Sequence, residues 1–302
     1  MTFSSPLFFL IYFNDLPDAL ESAVDSYADD TTITASGTSL EEIEAQLTSD
    51  CKKIDLWMKS NRLKLNPSKT HILTVGTQRK LASMSRKIGV KMDHVQLQES
   101  SSGSELLLGC KVEANLKWKQ HVSFLIPKLG KRLKGLNHLQ YICPLGVRKM
   151  IASGIFTSVL VYCLPLYGGM EKNLIKEIQV MQNRAARLVY KAPLRFNRSL
   201  LLGKLDWLSV NQLIWYHSLL SVYRIRTSRV PEYLSSFMCR QSRNGTIVIP
   251  HSTLTIASNS FCYRATAQWN RLPVGLRSVT SVGIFKRRLK KWVQDHVPQF
   301  VD

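Results

Sequence analysis

Two adjacent carboxylates, Asp29 and Asp30, are the residues of this chain whose types and spacing best suit chemistry. The flanking residues 24–27 and 31–35 are rich in β-branched and aromatic types, which predicts two short strands. Asp tolerates turn geometry, so we expect the pair at the tip of a hairpin. Carboxylates held side by side repel each other unless a cation lies between them, and oxygen ligands suit Mg²⁺ or Mn²⁺. The alternative is an ordinary hairpin with a solvated acidic turn.

Charge is unevenly distributed along the chain, whose net formal charge is +20. Residues 1–51 contain ten acids and no Lys or Arg, whereas residues 52–302 contain 41 bases and 11 acids, a net of +30. This asymmetry favours a protein that holds metal at one place and nucleic acid along another. The alternative is a basic protein whose charge only aids solubility.

Composition indicates a globular chain of 302 residues, 45% apolar, with one large or two ordinary domains. No stretch reaches the roughly 18 to 20 apolar residues of a membrane span, and no basic segment precedes the apolar run 6–13. We therefore expect neither a membrane partner nor a signal peptide. The six cysteines form no C-x-x-C pair and the histidines have no metal-ligand spacing, which argues against a zinc site or a disulfide framework. An intracellular protein with reduced thiols is expected.

The first third of the sequence predicts a mixed sheet region. An N-cap at Ser39 and a stop at Asn61 bound an amphipathic helix, because apolar residues recur at spacings of three and four. Residues 7–12 are expected to form a buried helix or strand, and residues 77–104 a loop or poorly ordered insertion. Further strands are predicted at these ranges: 63–65, 71–75 and 106–112.

The remainder predicts a helical bundle. Its helices are expected at about these ranges: 118–139, 144–164, 173–190, 209–226 and 281–297. Residues 227–260 look irregular, with a possible strand at 246–250. Bases accompany the apolar stripe of the first helix, and those of the last helix are interpreted as a solvated face.

Four motifs in order carry a resemblance to a known family. The chain resembles the reverse transcriptase of LINE-type (non-LTR) retrotransposons at these residues: 5–17, 27–30 (Tyr-Ala-Asp-Asp), 61–70, and 108–112 closing with 118–121. They resemble, in turn, the end of the template-contacting palm motif, the catalytic hairpin, the following Lys-bearing motif, and the primer-grip hairpin with the entry to the thumb. The tail, residues 267–273 and 285–290, is similar to the C-terminal end of many such elements.

The resemblance implies an α+β fold. A partial polymerase palm, an antiparallel sheet with packed helices, would occupy residues 1–120, a helical thumb-like domain 121–230, and a basic helical C-terminal region 231–302. The implied activity is RNA-directed DNA polymerisation with two Mg²⁺ (or Mn²⁺) ions. The implied partners are an RNA template and a DNA primer, with deoxynucleotides as the only small ligands, in the nucleus or cytoplasm.

The family's roles transfer to matching positions of this sequence. Asp29 would be the principal metal ligand and Asp30 would assist, while Tyr27 and Ala28 would shape the turn and line the nucleotide side. Lys69 would protonate or steady the leaving group, although a surface Lys after a turn is the alternative.

Two further sets of residues receive nucleic-acid roles. The strand around Gly109 would hold the primer end. Contacts to the nucleic-acid backbone are expected from four bases of the first thumb helix: Lys128, Lys131, Arg132 and Lys134.

The sequence also departs from the family pattern. The palm needs a further Asp from a strand before residue 5, and Asp15 and Asp25 lie on the wrong segments. The fingers and the endonuclease have no counterpart. We therefore expect a C-terminal fragment that does not polymerise DNA alone. The alternatives are a non-catalytic nucleic-acid-binding module and a decayed reading frame without a selected role.

Overall fold

A computed structural model describes residues 4–92, 94–227, 234, 246–249 and 252–300. The chain forms two compact units, Met1–Glu105 and Leu106–Asp302.

The first unit is a long helix accompanied by short strands. Its helices and 3₁₀ turns are α1 (Ser4–Phe13), Pro17–Ala19, α2 (Leu40–Ser60), Pro67–Lys69 and α3 (Gln78–Ala82). Its strands are β1 (Ala23–Tyr27), β2 (Asp30–Thr34), β3 (His71–Ile72), β4 (Lys91–Met92), β5 (Val95–Gln96) and β6 (Gln98–Glu99). β1–β2 and β4–β5 are antiparallel pairs, and β3–β6 is a parallel pair.

Helix α2 begins and ends where the sequence predicts. Ser39 Oγ accepts the backbone N–H of Glu42 at 3.1 Å, and the N–H of Asn61 reaches the carbonyl oxygen of Trp57 at 3.0 Å. The Glu42 carboxylate accepts from the N–H of Thr38 at 3.1 Å, so the capping box closes one residue earlier than its usual form. The apolar stripe of α2 contributes to both small cores of the unit.

Two strand predictions for the first unit are wrong. Residues 63–65 form no strand, and β3 spans two residues of the predicted five. Residues 7–12 lie in α1, as one of the two alternatives predicted, but most of its apolar side chains are exposed, with Phe8 at 66% and Ile11 at 65%. An apolar run predicts burial only when another surface covers it, and among the side chains described in this helix, residues 7–13, Phe13 alone is buried in the core.

Residues 77–104 are folded, contrary to the expectation of a loop. Ile88, Val90, Met92 and Leu97 form a buried cluster with Cys51 of α2. Arg86 binds Glu41 at 3.1 Å and also Glu44, which fastens the segment to α2. Strands of two residues are too short to show a period in the sequence, which explains the missed prediction.

The second unit is a helical bundle preceded by a hairpin. The hairpin pairs β7 (Ser104–Leu107), within which the boundary between the units falls, with β8 (Cys110–Glu113). The longer helices are α4 (Lys119–Ile142), α5 (Leu145–Ala152), α8 (Lys172–Tyr190), α9 (Arg198–Leu205), α10 (Val210–Thr227), α12 (Phe261–Asn270) and α14 (Val282–His296). Single turns complete it: a π-helical turn at Ser153–Thr157, α6 (Ser158–Val161), α7 (Leu164–Tyr167), α11 (Thr255–Ser258) and α13 (Val274–Arg277).

One continuous core holds the second unit together. Leu129 of α4, Ile178 of α8, Val222 of α10 and Phe285 of α14 are fully buried in it. The helices predicted at 118–139, 173–190, 209–226 and 281–297 are confirmed within a few residues. A stripe of buried residues at helical spacing therefore predicted these elements correctly.

The segment 144–164 is not one helix. The π-helical turn interrupts it, and Cys163 adopts a left-handed φ of 53°, which begins a new turn at α7. The predicted strand at 246–250 is limited, in its described part, to a single bridge residue, Ile247. Much of the region predicted as irregular, 227–260, lies outside the described residues, while α11 occupies part of the rest.

The architecture, helices with small sheets, is compatible with the predicted α+β class. Within the described ranges, none of the helices combines the length and the apolarity that a membrane span needs.

Candidate active site and nucleic-acid interface

The Asp pair lies at the tip of a tight antiparallel hairpin. Tyr27 is paired with Asp30, which leaves Ala28 and Asp29 as a two-residue loop. Ala28 has a positive φ of 54°, the backbone conformation that the tight hairpin turns require. Asp30 therefore starts β2, whereas Asp29 lies in the loop itself.

Both carboxylates face solvent. Asp29 and Asp30 are exposed, and Tyr27 beside them is 69% exposed. In the part of the chain that the structure describes, neither carboxylate has a hydrogen-bond or ion-pair partner. The two groups are thus open to a cation or to a second polypeptide segment.

A buried acid, Asp50, positions the start of the hairpin. Its carboxylate is fully buried on α2 and accepts the backbone N–H groups of Glu21 and Ser22, each at 3.0 Å. Burial would raise the pKa of Asp50, but these hydrogen bonds outweigh it and lower the pKa. Sequence reasoning missed this residue, although its place beside Cys51 and Ile54 on the apolar side of α2 is an available signal.

The other strand of the hairpin is fixed by packing. Ile33 of β2 contacts a cluster of Phe13, Leu16 and Ile54. The hairpin therefore packs on this cluster through Ile33, while residues 27–30 at its acidic tip are exposed.

Lys69 is an exposed residue at the end of the 3₁₀ turn Pro67–Lys69. Asn66 begins that turn by accepting the N–H of Ser68 at 3.2 Å. Among the described residues no ion pair joins Lys69 to Asp29 or Asp30. The structure thus places these predicted catalytic groups in one unit without bringing them into contact.

The β7–β8 hairpin presents Gly109. Leu108 and Gly109 form its two-residue loop with φ of 45° and 81°, and positive φ at both positions is typical of a type I′ turn. The Tyr162 hydroxyl donates to the carbonyl oxygen of Leu108 at 2.5 Å. A Cβ at position 109 would make an ordinary contact of 3.4 Å with the Tyr162 ring, so it is the backbone conformation that favours glycine there.

Helix α4 brings most of the predicted backbone-contacting bases together with that turn. Lys128, Lys131 and Arg132 line one cavity with Gly109. Lys134 is exposed but does not line it, because it lies about 120° from Lys128 around the helix axis. Three of the four predicted bases therefore share one surface.

His121 lies at the same cavity and received no role from the sequence. It is 3% exposed, and its Nδ1 accepts the backbone N–H of Lys111 at 3.1 Å. Burial, assisted by the Lys128 charge, lowers the pKa of His121 to about 4. The sequence does not show that β8 contacts α4, so only the folded structure reveals His121 as a neutral imidazole whose ring N–H can donate a hydrogen bond.

The donor set for a metal is incomplete in the described chain. Among the described residues, no group of three or more His, Cys, Asp or Glu side chains is arranged to hold a metal ion. Asp29 and Asp30 suit one hydrated Mg²⁺ or Mn²⁺ that shares further ligands with substrate phosphates. They do not suit a pair of ions, which needs additional carboxylates.

The exposed acidic hairpin belongs to a reverse transcriptase-like domain. Residues 3–126 match the family model described as reverse transcriptase (RNA-dependent DNA polymerase). The match includes the acidic hairpin, Lys69, the β7–β8 hairpin and the beginning of α4, and it confirms the predicted reverse transcriptase identity for this region. A domain of this kind acts on nucleic acid. Searches of curated proteins and of solved structures found no match.

Proposed function

We propose that this chain carries the catalytic hairpin and the primer-holding and thumb regions of a LINE-type RNA-directed DNA polymerase. The observation that carries the proposal is the exposed Asp29–Asp30 tip of a two-residue hairpin inside the region that matches the reverse transcriptase family. Tyr27 and Ala28 line the nucleotide side of this tip. The template is RNA, and the growing strand is DNA.

The carboxylates have separate roles in this proposal. Asp29, which lies in the loop, is the principal metal ligand, and Asp30 at the first position of β2 assists it. A bound Mg²⁺ or Mn²⁺ supplies charge neutralisation at the triphosphate. Lys69 steadies the leaving pyrophosphate, and the turn at Gly109 holds the primer end.

The 302-residue chain does not polymerise DNA by itself in this account. Two-metal transfer depends on carboxylates beyond the hairpin pair, and the described residues supply no such cluster. Primer extension by purified chain 1–302 on an RNA template with Mg²⁺ or Mn²⁺ tests this. No extension is expected. If extension occurs and Asp29→Ala abolishes it, the chain is an active polymerase and the proposal is wrong.

A second candidate function is non-catalytic binding of nucleic acid by the helical unit. The shared surface of Lys128, Lys131 and Arg132 favours it, as does the charge of +30 carried by residues 52–302. Because bound cations replace condensed counterions, the affinity for a duplex should fall steeply with salt. Each phosphate contact contributes a slope of about −0.9 in log K against log salt.

Fluorescence anisotropy with a labelled RNA–DNA duplex measures that slope. Replacing Lys128 and Lys131 with Ala should make the slope shallower by about two. The matched control is Lys176→Ala on α8, an exposed base outside α4. A slope that the double substitution leaves unchanged would exclude this surface as the binding site.

A further inference from the structure

The cavity beside the β7–β8 turn has two kinds of wall. Apolar and aromatic side chains, including Phe124, Leu125 and Tyr162, form one part, and the cations of α4 form another. Its volume is about 480 Å³, within the range of small-ligand sites. No carboxylate belongs to its described lining, so an anion meets no repulsion there.

His121 lines this cavity and carries a hydrogen-bond donor that lacks an acceptor among the described residues. A backbone N–H can only donate, so the Nδ1 that accepts from Lys111 carries no proton. The neutral ring must then hold its proton on Nε2, which is buried and has no hydrogen-bond partner. An unsatisfied buried donor is costly in a folded protein, and a ligand oxygen or ring nitrogen would satisfy it.

The opposite wall is built from irregular helix. The π-helical turn Ser153–Thr157 leads directly into Ser158 and Val159, which line the cavity. Short π-helical insertions are frequent at functional sites. The wall continues to Tyr162, whose hydroxyl is fixed to the carbonyl oxygen of Leu108.

We propose that this cavity binds one unstacked nucleotide. The base lies among Phe124, Val159 and Tyr162, and a shift of the His121 ring brings its Nε2–H to an acceptor atom of the base. The phosphate lies against the cations of α4. The inference deepens the proposed nucleic-acid binding and rests on it. A cationic rim alone would take any anion, but an aromatic cavity with one buried donor is specific for a planar heterocycle.

Comparison of two duplexes tests the proposal in the full chain. One is fully paired, and the other carries a single bulged nucleotide whose base is free to leave the stack. We expect the bulged duplex to bind about tenfold more tightly at the same salt concentration. Free dAMP and inorganic phosphate are titrated separately, which distinguishes a nucleotide in a strand from a free nucleotide.

Substitutions at the cavity wall identify the site. Ser158→Phe fills the cavity and should reduce the bulged-to-paired affinity ratio to about one. Ser153→Phe is the matched control, because Ser153 is exposed on the same segment and does not line the cavity. Lys131→Ala should lower the ratio, whereas Lys134→Ala should weaken both duplexes equally.

Histidine ring NMR adds a readout that does not depend on a variant. Ligand binding should shift the Nε2 signal of His121 while the signal of exposed His138 stays in place. If the chain prefers the bulged duplex and Ser158→Phe removes that preference, the ligand is a nucleotide within a strand. If instead the chain binds dAMP but not phosphate, and Ser158→Phe removes the dAMP binding, the ligand is a free nucleotide. If the paired duplex binds but neither cavity effect occurs, the inference is overturned while nucleic-acid binding by α4 stands.

Discussion

At the scale of single residues, Asp50 shows how the acidic hairpin is held in place. It is buried on α2, yet its partners are the backbone N–H groups of Glu21 and Ser22, just before β1. A sequence shows that an acid lies on an apolar helix face, but it does not show which distant backbone groups the acid satisfies. That assignment needs the tertiary contact across 28 and 29 residues of chain.

Replacement of Asp50 should destabilise the first unit. In Asp50→Ala the two N–H groups lose their acceptor while they remain close to α2, and we expect a loss of about 2–3 kcal/mol in the free energy of unfolding. Urea denaturation followed by circular dichroism measures it. The control is Asp55→Ala, also on α2, where Asp55 forms a surface ion pair with Lys59. This substitution should lower the free energy of unfolding by less than about 1 kcal/mol.

The stability of the second unit should depend on pH through His121. Its pKa is about 4 in the folded chain and about 6.5 when unfolded, so between these values the unfolded chain binds the extra proton. The free energy of unfolding should therefore decrease as the pH falls from 6.5 to 4, by up to about 3 kcal/mol. His121→Gln should reduce this dependence by about half, because burial also lowers the pKa of His217 on α10 to about 4. Exposed His138→Gln, on the same helix as His121, should keep the full dependence.

At the scale of elements, the two hairpins differ in how visible they are in the sequence. Strand-forming residues on both sides of Asp29 and Asp30 predicted β1 and β2, with errors of one residue at their ends. The segment 106–112 was predicted from its residue types as one strand, and the structure divides it at Leu108 and Gly109 into the two strands of a hairpin. Ala and Leu rarely adopt a positive φ, so the residue types at positions 28 and 108 did not predict the turns that form there.

Helices with a long apolar stripe were predictable, whereas short helices were not. α4, α8, α10 and α14 each repeat buried residues over several turns. α9 spans only eight residues, too few for a clear period. The π-helical turn after α5 is likewise invisible in the sequence, because it depends on local packing.

Gly109→Ala should destabilise the β7–β8 hairpin. Alanine is strained at a φ of 81°, so we expect a loss of about 1–2 kcal/mol in the free energy of unfolding. Thermal unfolding measures the change. Gly135→Ala is the matched control, because a Cβ there meets open space within α4 and should stabilise the helix by up to about 1 kcal/mol. Equal effects at the two positions would contradict the turn assignment.

At the scale of the whole molecule, the sequence predicted the separation of charge but not the cavity. The acidic block ends within α2, and the bases that follow include the cations of α4. The sequence assigned one nucleic-acid contact to four bases of α4, of which Lys128, Lys131 and Arg132 share the cavity. Their meeting with Gly109, His121 and Tyr162 depends on chain segments up to about 50 residues apart, which no local pattern reveals.

The central claim is that the Asp29–Asp30 tip binds a divalent metal, and paramagnetic NMR with Mn²⁺ tests it most directly. Because a bound Mn²⁺ broadens nearby signals, we predict loss of the amide signals of residues 27–31 at Mn²⁺ concentrations that leave the second unit unchanged. Asp29→Asn combined with Asp30→Asn should abolish the effect, while Asp25→Asn on the exposed flank of β1 should preserve it. Broadening that persists in the double variant, or that never occurs at the tip, would contradict the account.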